Sequence, residues 1–293
     1  MRLPVALVFV LPIAGLLSAP VQPAAASKDP AHDRAREVIV QALATGGEPK
    51  GQAQNLVRLA WPAGKRDELV SALARRELGN FGENSIAALR RALNTVKIEY
   101  TEEVLDTTLR ARRNVPSGMA MEYLASVVDA LWIGSHGAKV LAIQSLQGGR
   151  APVVVAPMID SAIDDPTLAP LVVETLGALH FQQARFYLEK VMMEGPADLR
   201  PVAASSLAQI GGVSLLPLKN ALKAPNRDAR LLAARTLLPV ATEYDLGAIY
   251  EYVEKHGDDD PVLTQELKSH SVRIEKAIAA RDASEAAASP QNF

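Results

Sequence analysis

The chain of 293 residues predicts an all-α fold, an α-solenoid in which about seven antiparallel helix pairs wind into a right-handed superhelix. Three observations predict it. Leu146, Leu176, Leu207 and Leu237 follow one another at intervals of 30, 31 and 30 residues, a period at which each unit buries its apolar face only against a neighbour. Around each leucine a stripe recurs at i−4 and i+3, with Ala142, Val172, Ala203 and Ala233 before it and Leu179, Ile210 and Val240 after three of the four. That is helical spacing. The composition, 48% apolar with only 4% aromatic, supplies the small and medium side chains that let helices approach closely, and it lacks the strand formers of a sandwich or barrel.

From the amino terminus, Met1-Arg2, the apolar run Leu3 to Leu17 and the small residues Pro23 to Ser27 read as a signal peptide over residues 1–26, cleaved after Ala26. The run is shorter than the ~20 apolar residues that span a bilayer and contains Pro4 and Pro12. The expectation is an exported chain, periplasmic or secreted, with no membrane span after cleavage. The chain has no cysteine, so stability outside the cytoplasm rests on burial, and thiol chemistry is excluded.

Residues 27–134 carry a degenerate form of the repeat. Leu78 with Ala74 and Leu109 with Leu105 keep the i−4 pairing, and turns are expected at Gly46-Gly47-Glu48-Pro49, at Gly79-Asn80-Phe81-Gly82 and over Asn114 to Gly118. Over residues 135–242 the pattern is clearest. Seven residues before the leucines stand Lys139, Ala169, Arg200 and Arg230, with Asp198 and Asp228 two residues before the arginines, placed to cap helix starts. A second set of helices is read from Val153 to Ile163, Ala184 to Met193 and Leu215 to Leu222, so the unit is helix, turn, helix. Residues 243–281 are expected to form capping helices, near Asp245 to Lys255 and Pro261 to Arg281, and residues 282–293 a disordered tail.

The stretch Asp198-Leu199-Arg200-Pro201-Val202-Ala203-Ala204-Ser205-Ser206-Leu207-Ala208-Gln209-Ile210-Gly211 resembles the inner helix of a HEAT repeat of the short bacterial, phycobilisome-lyase-like kind. Asp228 to Leu237 matches its key positions, and the resemblance extends over residues 139 to 241. It implies that the leucine-bearing helices line a concave face, and that acids and arginines link adjacent repeats, interrupted at Ala169. It implies no lyase activity, because the repeat is shared with many proteins that catalyse nothing.

No motif supplies chemistry. There is no HExxH, nucleophile elbow or glycine-rich phosphate loop, and the five histidines are scattered. Gly134-Ser135-His136-Gly137 reads as a helix-start turn, and His256-Gly257-Asp258-Asp259-Asp260 as an acidic cap before Pro261 rather than a cation loop. His180 stands where other repeats have Gly211 and Ala241, and must point outward or find a partner; Gly177 is placed to give it room. No catalytic residue, cofactor or metal is assigned.

The net charge of −2 argues against nucleic acid as a partner. Residues 27–150 hold 17 basic and 14 acidic side chains, residues 151–293 hold 13 and 19. The pairs Arg75-Arg76, Arg90-Arg91 and Arg112-Arg113 in the first half read as solvated helix faces, the alternative being a basic stripe for an acidic partner or polymer. Two residues either side of each leucine the positions are off the core stripe. Of these, Gln144, Glu174, Ser205, Gln209 and Arg235 are the candidate contacts for a protein or peptide partner. The expected function is a non-enzymatic scaffold or binding protein. The rival classes are an enzyme, lyase-like or a hydrolase, with a site in the groove, and a structural subunit of a cell-envelope assembly.

Overall fold

The computed structural model describes residues 29–96, 99–113, 121–146 and 151–288. The expected signal peptide and the expected turn over Asn114 to Gly118 lie outside them. Among the described residues every regular element is helical. The α-helices are α1 (Pro30–Gly46), α2 (Pro49–Ala60), α3 (Glu68–Leu78), α4 (Glu83–Val96), α5 (Glu102–Arg112), α6 (Met121–Ile133), α7 (His136–Ser145) and α8 (Val155–Asp164). They continue with α9 (Ala169–Ala178), α10 (Arg185–Glu194), α11 (Leu199–Ile210), α12 (Leu216–Ala221), α13 (Arg227–Leu237), α14 (Leu246–His256) and α15 (Pro261–Ala288).

Helix starts follow from side chains that accept the free first-turn amides. Asp29 accepts from Ala31, Asp67 from Leu69 and Val70, Ser135 from Ala138, and Asp260 from Val262 and Leu263. Pro30, Pro49 and Pro261 occupy first helical positions, where a missing N–H costs little. Two expected caps differ. Asn226, in extended backbone, caps α13 by accepting from Asp228 and Ala229, so Asp228 lies inside the first turn. Asp198 precedes α11 without bonding its amides. At the other end, α15 runs on to Ala288, past the expected boundary at Arg281. The segment Asp282 to Ala288 is rich in alanine, whose helix propensity extends an existing helix.

The leucine ladder is core: Leu146, Leu176, Leu207 and Leu237 are buried, as is Leu78, whereas Leu109 is only partly so. Helices bearing these leucines pack one on the next, α3 on α5, α5 on α7, α7 on α9, α9 on α11 and α11 on α13. One apolar core runs without a break from Ile39 in α1 to Leu267 in α15.

Small residues set how close neighbouring helices come. A Cβ on Gly177 would meet Ser206 Oγ at 2.6 Å and Ser206 Cα at 2.8 Å, so α9 and α11 touch nearly backbone to backbone. Gly177 therefore makes room for Ser206 of the next repeat, not for His180. Buried hydroxyls then join neighbouring helices: Ser206 of α11 donates to the Val173 carbonyl of α9 at 2.9 Å, Ser161 of α8 to Leu131 of α6 at 2.6 Å, and Ser85 of α4 to Leu78 of α3 at 2.5 Å. A hydroxyl buried without such a partner costs about 1–3 kcal/mol, so these serines fix helix register as well as filling space.

Candidate functional site

The candidate contacts lie on four consecutive ladder helices. Gln144 (α7), Glu174 (α9), Ser205 (α11) and Arg235 (α13) are all exposed, each two residues before a buried leucine. Gln209, on the far side of Leu207, is exposed as well. The arrangement follows from helix geometry: an i−2 offset turns the side chain away from the core stripe by roughly 160°. None of the five is withdrawn into the core.

Arg235 ends this row, and its guanidinium lies 3.0 Å from the Asp260 carboxylate at the start of α15. Asp260 already accepts from the Leu263 and Val262 amides, and together with Arg235 these hold its carboxyl below the usual carboxylate range. Beside the pair, α13 and α15 part to leave an open groove of about 560 Å³ between Leu238, Pro261, Val262, Glu266 and Arg273. Its floor is apolar and its rim carries an acid and a base two helical turns apart. Sequence spacing alone missed this groove, since Leu238 falls just past the ladder leucine and α15 belongs to no clear repeat.

Polar side chains link one repeat to the next at an interval of 29 residues. His136 Nδ1 lies 2.7 Å from Asp165 Oδ2, His180 Nδ1 donates to the Gln209 carbonyl at 2.7 Å, and Arg230 Nε donates to Asp259 at 2.7 Å. The bond from His136, with those from the Thr167 hydroxyl and amide, holds Asp165 down to about 2. His180 takes a positive φ of 55°, as Gly211 does at the end of α11, so it is a helix terminator whose ring finds the next helix end.

The arginine pattern implied by the repeat forms in part. Arg230 is buried, and besides Asp259 it donates to the Ala224 and Pro225 carbonyls. Arg200 turns back on its own loop and donates to the Gly195 carbonyl at 2.8 Å. In the first half, Arg75 pairs with Glu103 and Arg90 with Asp129, so at these two positions the arginines tie helices together. On the second helices, Lys219 is bound to Asp245, which is 1% exposed. Burial pushes the Asp245 carboxyl up, and bonds from Thr242 and Lys219 outweigh it, leaving it lowered.

Among the described residues no group of three or more His, Asp or Glu side chains is arranged to hold a metal ion, and no helix is long and apolar enough to cross a membrane. Of the acids after His256, Asp260 caps α15 and pairs with Arg235, and Asp259 pairs with Arg230. Set against protein-family models and curated proteins, the chain matches none.

Proposed function

We propose that this chain is an exported, HEAT-like α-solenoid that binds a protein or peptide partner along its ladder helices and catalyses nothing itself. The observation that carries the reading is the row Gln144, Glu174, Ser205 and Arg235. The four ladder helices α7, α9, α11 and α13 each present one polar side chain to solvent two residues before a buried leucine. A row of that kind gives a partner hydrogen-bonding and charged contacts at regular intervals along an extended surface, which is how repeat proteins engage chains rather than small molecules. Supporting it, the ladder helices pack directly on one another, and the groove beside Arg235 offers an apolar anchor point at the end of the row. On this reading the mature chain starts at Ser27 outside the cytoplasm.

The test is recovery of a partner by cross-linking in the native envelope fraction and culture medium, using wild type and a Glu174→Lys, Arg235→Gln variant. Arg235→Gln is chosen over reversal because Asp260 lies 3.0 Å away and a new acid would disturb the α15 cap. The reading predicts a partner lost from the variant and kept by a control carrying Glu254→Lys and Asn220→Lys on exposed positions of α14 and α12. Equal recovery with all three proteins contradicts it.

A further inference from the structure

Leu267 of α15 stands 30 residues after Leu237 and is buried, so α15 takes the next ladder place although the rest of it departs from the repeat. Where α9 meets α11, the residue after one ladder leucine is Gly177 and the residue before the next is Ser206. The same two places at the last step hold Leu238 and Glu266, and both line the open groove of about 560 Å³. A leucine and a glutamate standing where α9 and α11 have a glycine and a serine keep α13 and α15 from closing on each other, and the groove is the result.

The α15 side of the groove is a helix face with its charges at a fixed spacing. Val262, Gln265, Glu266, Ser269 and Arg273 line it at helical intervals, and Val262 is 71% exposed. Glu266 is exposed and forms no ion pair among the described residues. Arg273, seven residues on, is exposed too, and its Nη2 donates to His270 Nδ1 at 3.1 Å. Other charges nearby are engaged: Arg235 pairs with Asp260, Glu275 accepts from Tyr250, and Arg281 pairs with Glu243. Lys276 follows Arg273 by three positions and adds a second cation on the same side, whereas Lys268 is turned about 100° from Ser269.

We propose that this face pairs with the same face of a second copy of the chain, α15 against α15 about a two-fold axis, each copy's Glu266 meeting Arg273 of the other. The spacing selects that arrangement. Two helices share one rise per residue, so an acid and a base about 10.5 Å apart on one helix match a base and an acid at the same distance on the other. Antiparallel pairing sets opposite charges together at both ends, whereas parallel pairing in register sets Glu266 against Glu266. The complement that this rim calls for is therefore α15 itself. In the same register Ser269 lies next to the axis, and Val262 comes against Ala277, an exposed small residue that lets the helices approach. Each α15 then lies over the other copy's groove and covers its apolar floor. The proposal goes beyond the partner-binding reading and does not rest on it: the groove is filled in the pair and open in the single chain, and Gln144, Glu174 and Ser205 lie on other helices.

The test is sedimentation velocity of the natively expressed protein at low salt, from about 10 μM to about 1 mM. Wild type is expected to form a dimer within that range. Glu266→Lys alone and Arg273→Glu alone should each weaken it at least about tenfold, because each sets like charges together at both contacts. An equimolar mixture of these two variants should dimerise again, and so should the chain carrying both changes, since opposite charges then meet at both contacts. Recovery in the double variant also shows that neither change unfolds the chain. Ser269→Cys, in a chain with no other cysteine, should give a disulfide-linked dimer on mild oxidation, and adding Glu266→Lys should suppress it. A wild type that stays monomeric at ~1 mM overturns the proposal. So does a dimer that both single variants keep, or a mixture of the two that remains monomeric.

Discussion

Arg230 and Asp259 meet at 2.7 Å across a repeat boundary, with the Arg230 side chain at 10% exposure and two further bonds to the Ala224 and Pro225 carbonyls. One guanidinium thus fixes the loop that precedes its own helix and the turn that precedes α15. The pair raises the Arg230 pKa and lowers that of Asp259, as mutual stabilisation of the charged forms requires.

Arg230→Met is therefore expected to lower the thermal midpoint markedly more than Arg200→Met. The first strips partners from a carboxylate and two carbonyls, whereas the second leaves a single carbonyl bond unmade. Circular-dichroism melts of the two variants decide it; equal shifts would mean that the inter-repeat pair adds nothing.

Leu207→Ala should cost about 2–5 kcal/mol, since the leucine is fully buried between α9 and α13 and its neighbours are held by helix packing that relaxes little. Urea denaturation gives the figure. A change below ~0.5 kcal/mol would show that the ladder is not core.

Gly177→Ala tests the close approach of α9 and α11. The added methyl would sit within 2.8 Å of Ser206, including its Cα, so the helices must part, at a cost of about 1–3 kcal/mol. Ser206→Gly in the same chain should recover part of that loss, although it also removes the bond to the Val173 carbonyl. A stabilising Gly177→Ala would mean that the helices stand further apart.

Acid stability has a defined sign. Asp165 and Glu251 are both held at about 2, below ordinary values of 3.8 and 4.5, the first by His136 and Thr167 and the second by Lys223 and Lys255. Their folded-state pKa values are depressed, so what they contribute is complete above about pH 5 and is lost as pH falls from there towards 2. Asp165→Asn with Glu251→Gln should flatten that limb of a midpoint-against-pH curve and leave the region above pH 5 parallel to wild type.

What could be read from sequence was what one helix decides for itself. Leu176, Leu207 and Leu237 announce burial by their own i−4 and i+3 neighbours, and Ser135 announces a cap by preceding a helical stripe. The cap of α13 was not legible, because Asn226 and Asp228 are both competent and only the extended backbone at Asn226 chooses between them. Contacts between repeats were legible still less. Gly177 faces Ser206, and Arg230 faces Asp259, because of the rotation of one helix against the next, and a single helix's periodicity does not contain that phase. The candidate row was found by offset from the leucines. The groove beside Arg235 was not, since it exists only where α13 and α15 part.

Small-angle X-ray scattering of the natively expressed protein tests the central claim most directly, that the helices form an open one-dimensional stack displaying its ladder helices along one face. A compact chain of 293 residues has a radius of gyration of about 19 Å. The account predicts a value clearly above that, with a pair-distance distribution skewed to a long tail. A value near 19 Å with a symmetric distribution would contradict it, because a closed globule has no extended row to offer a partner.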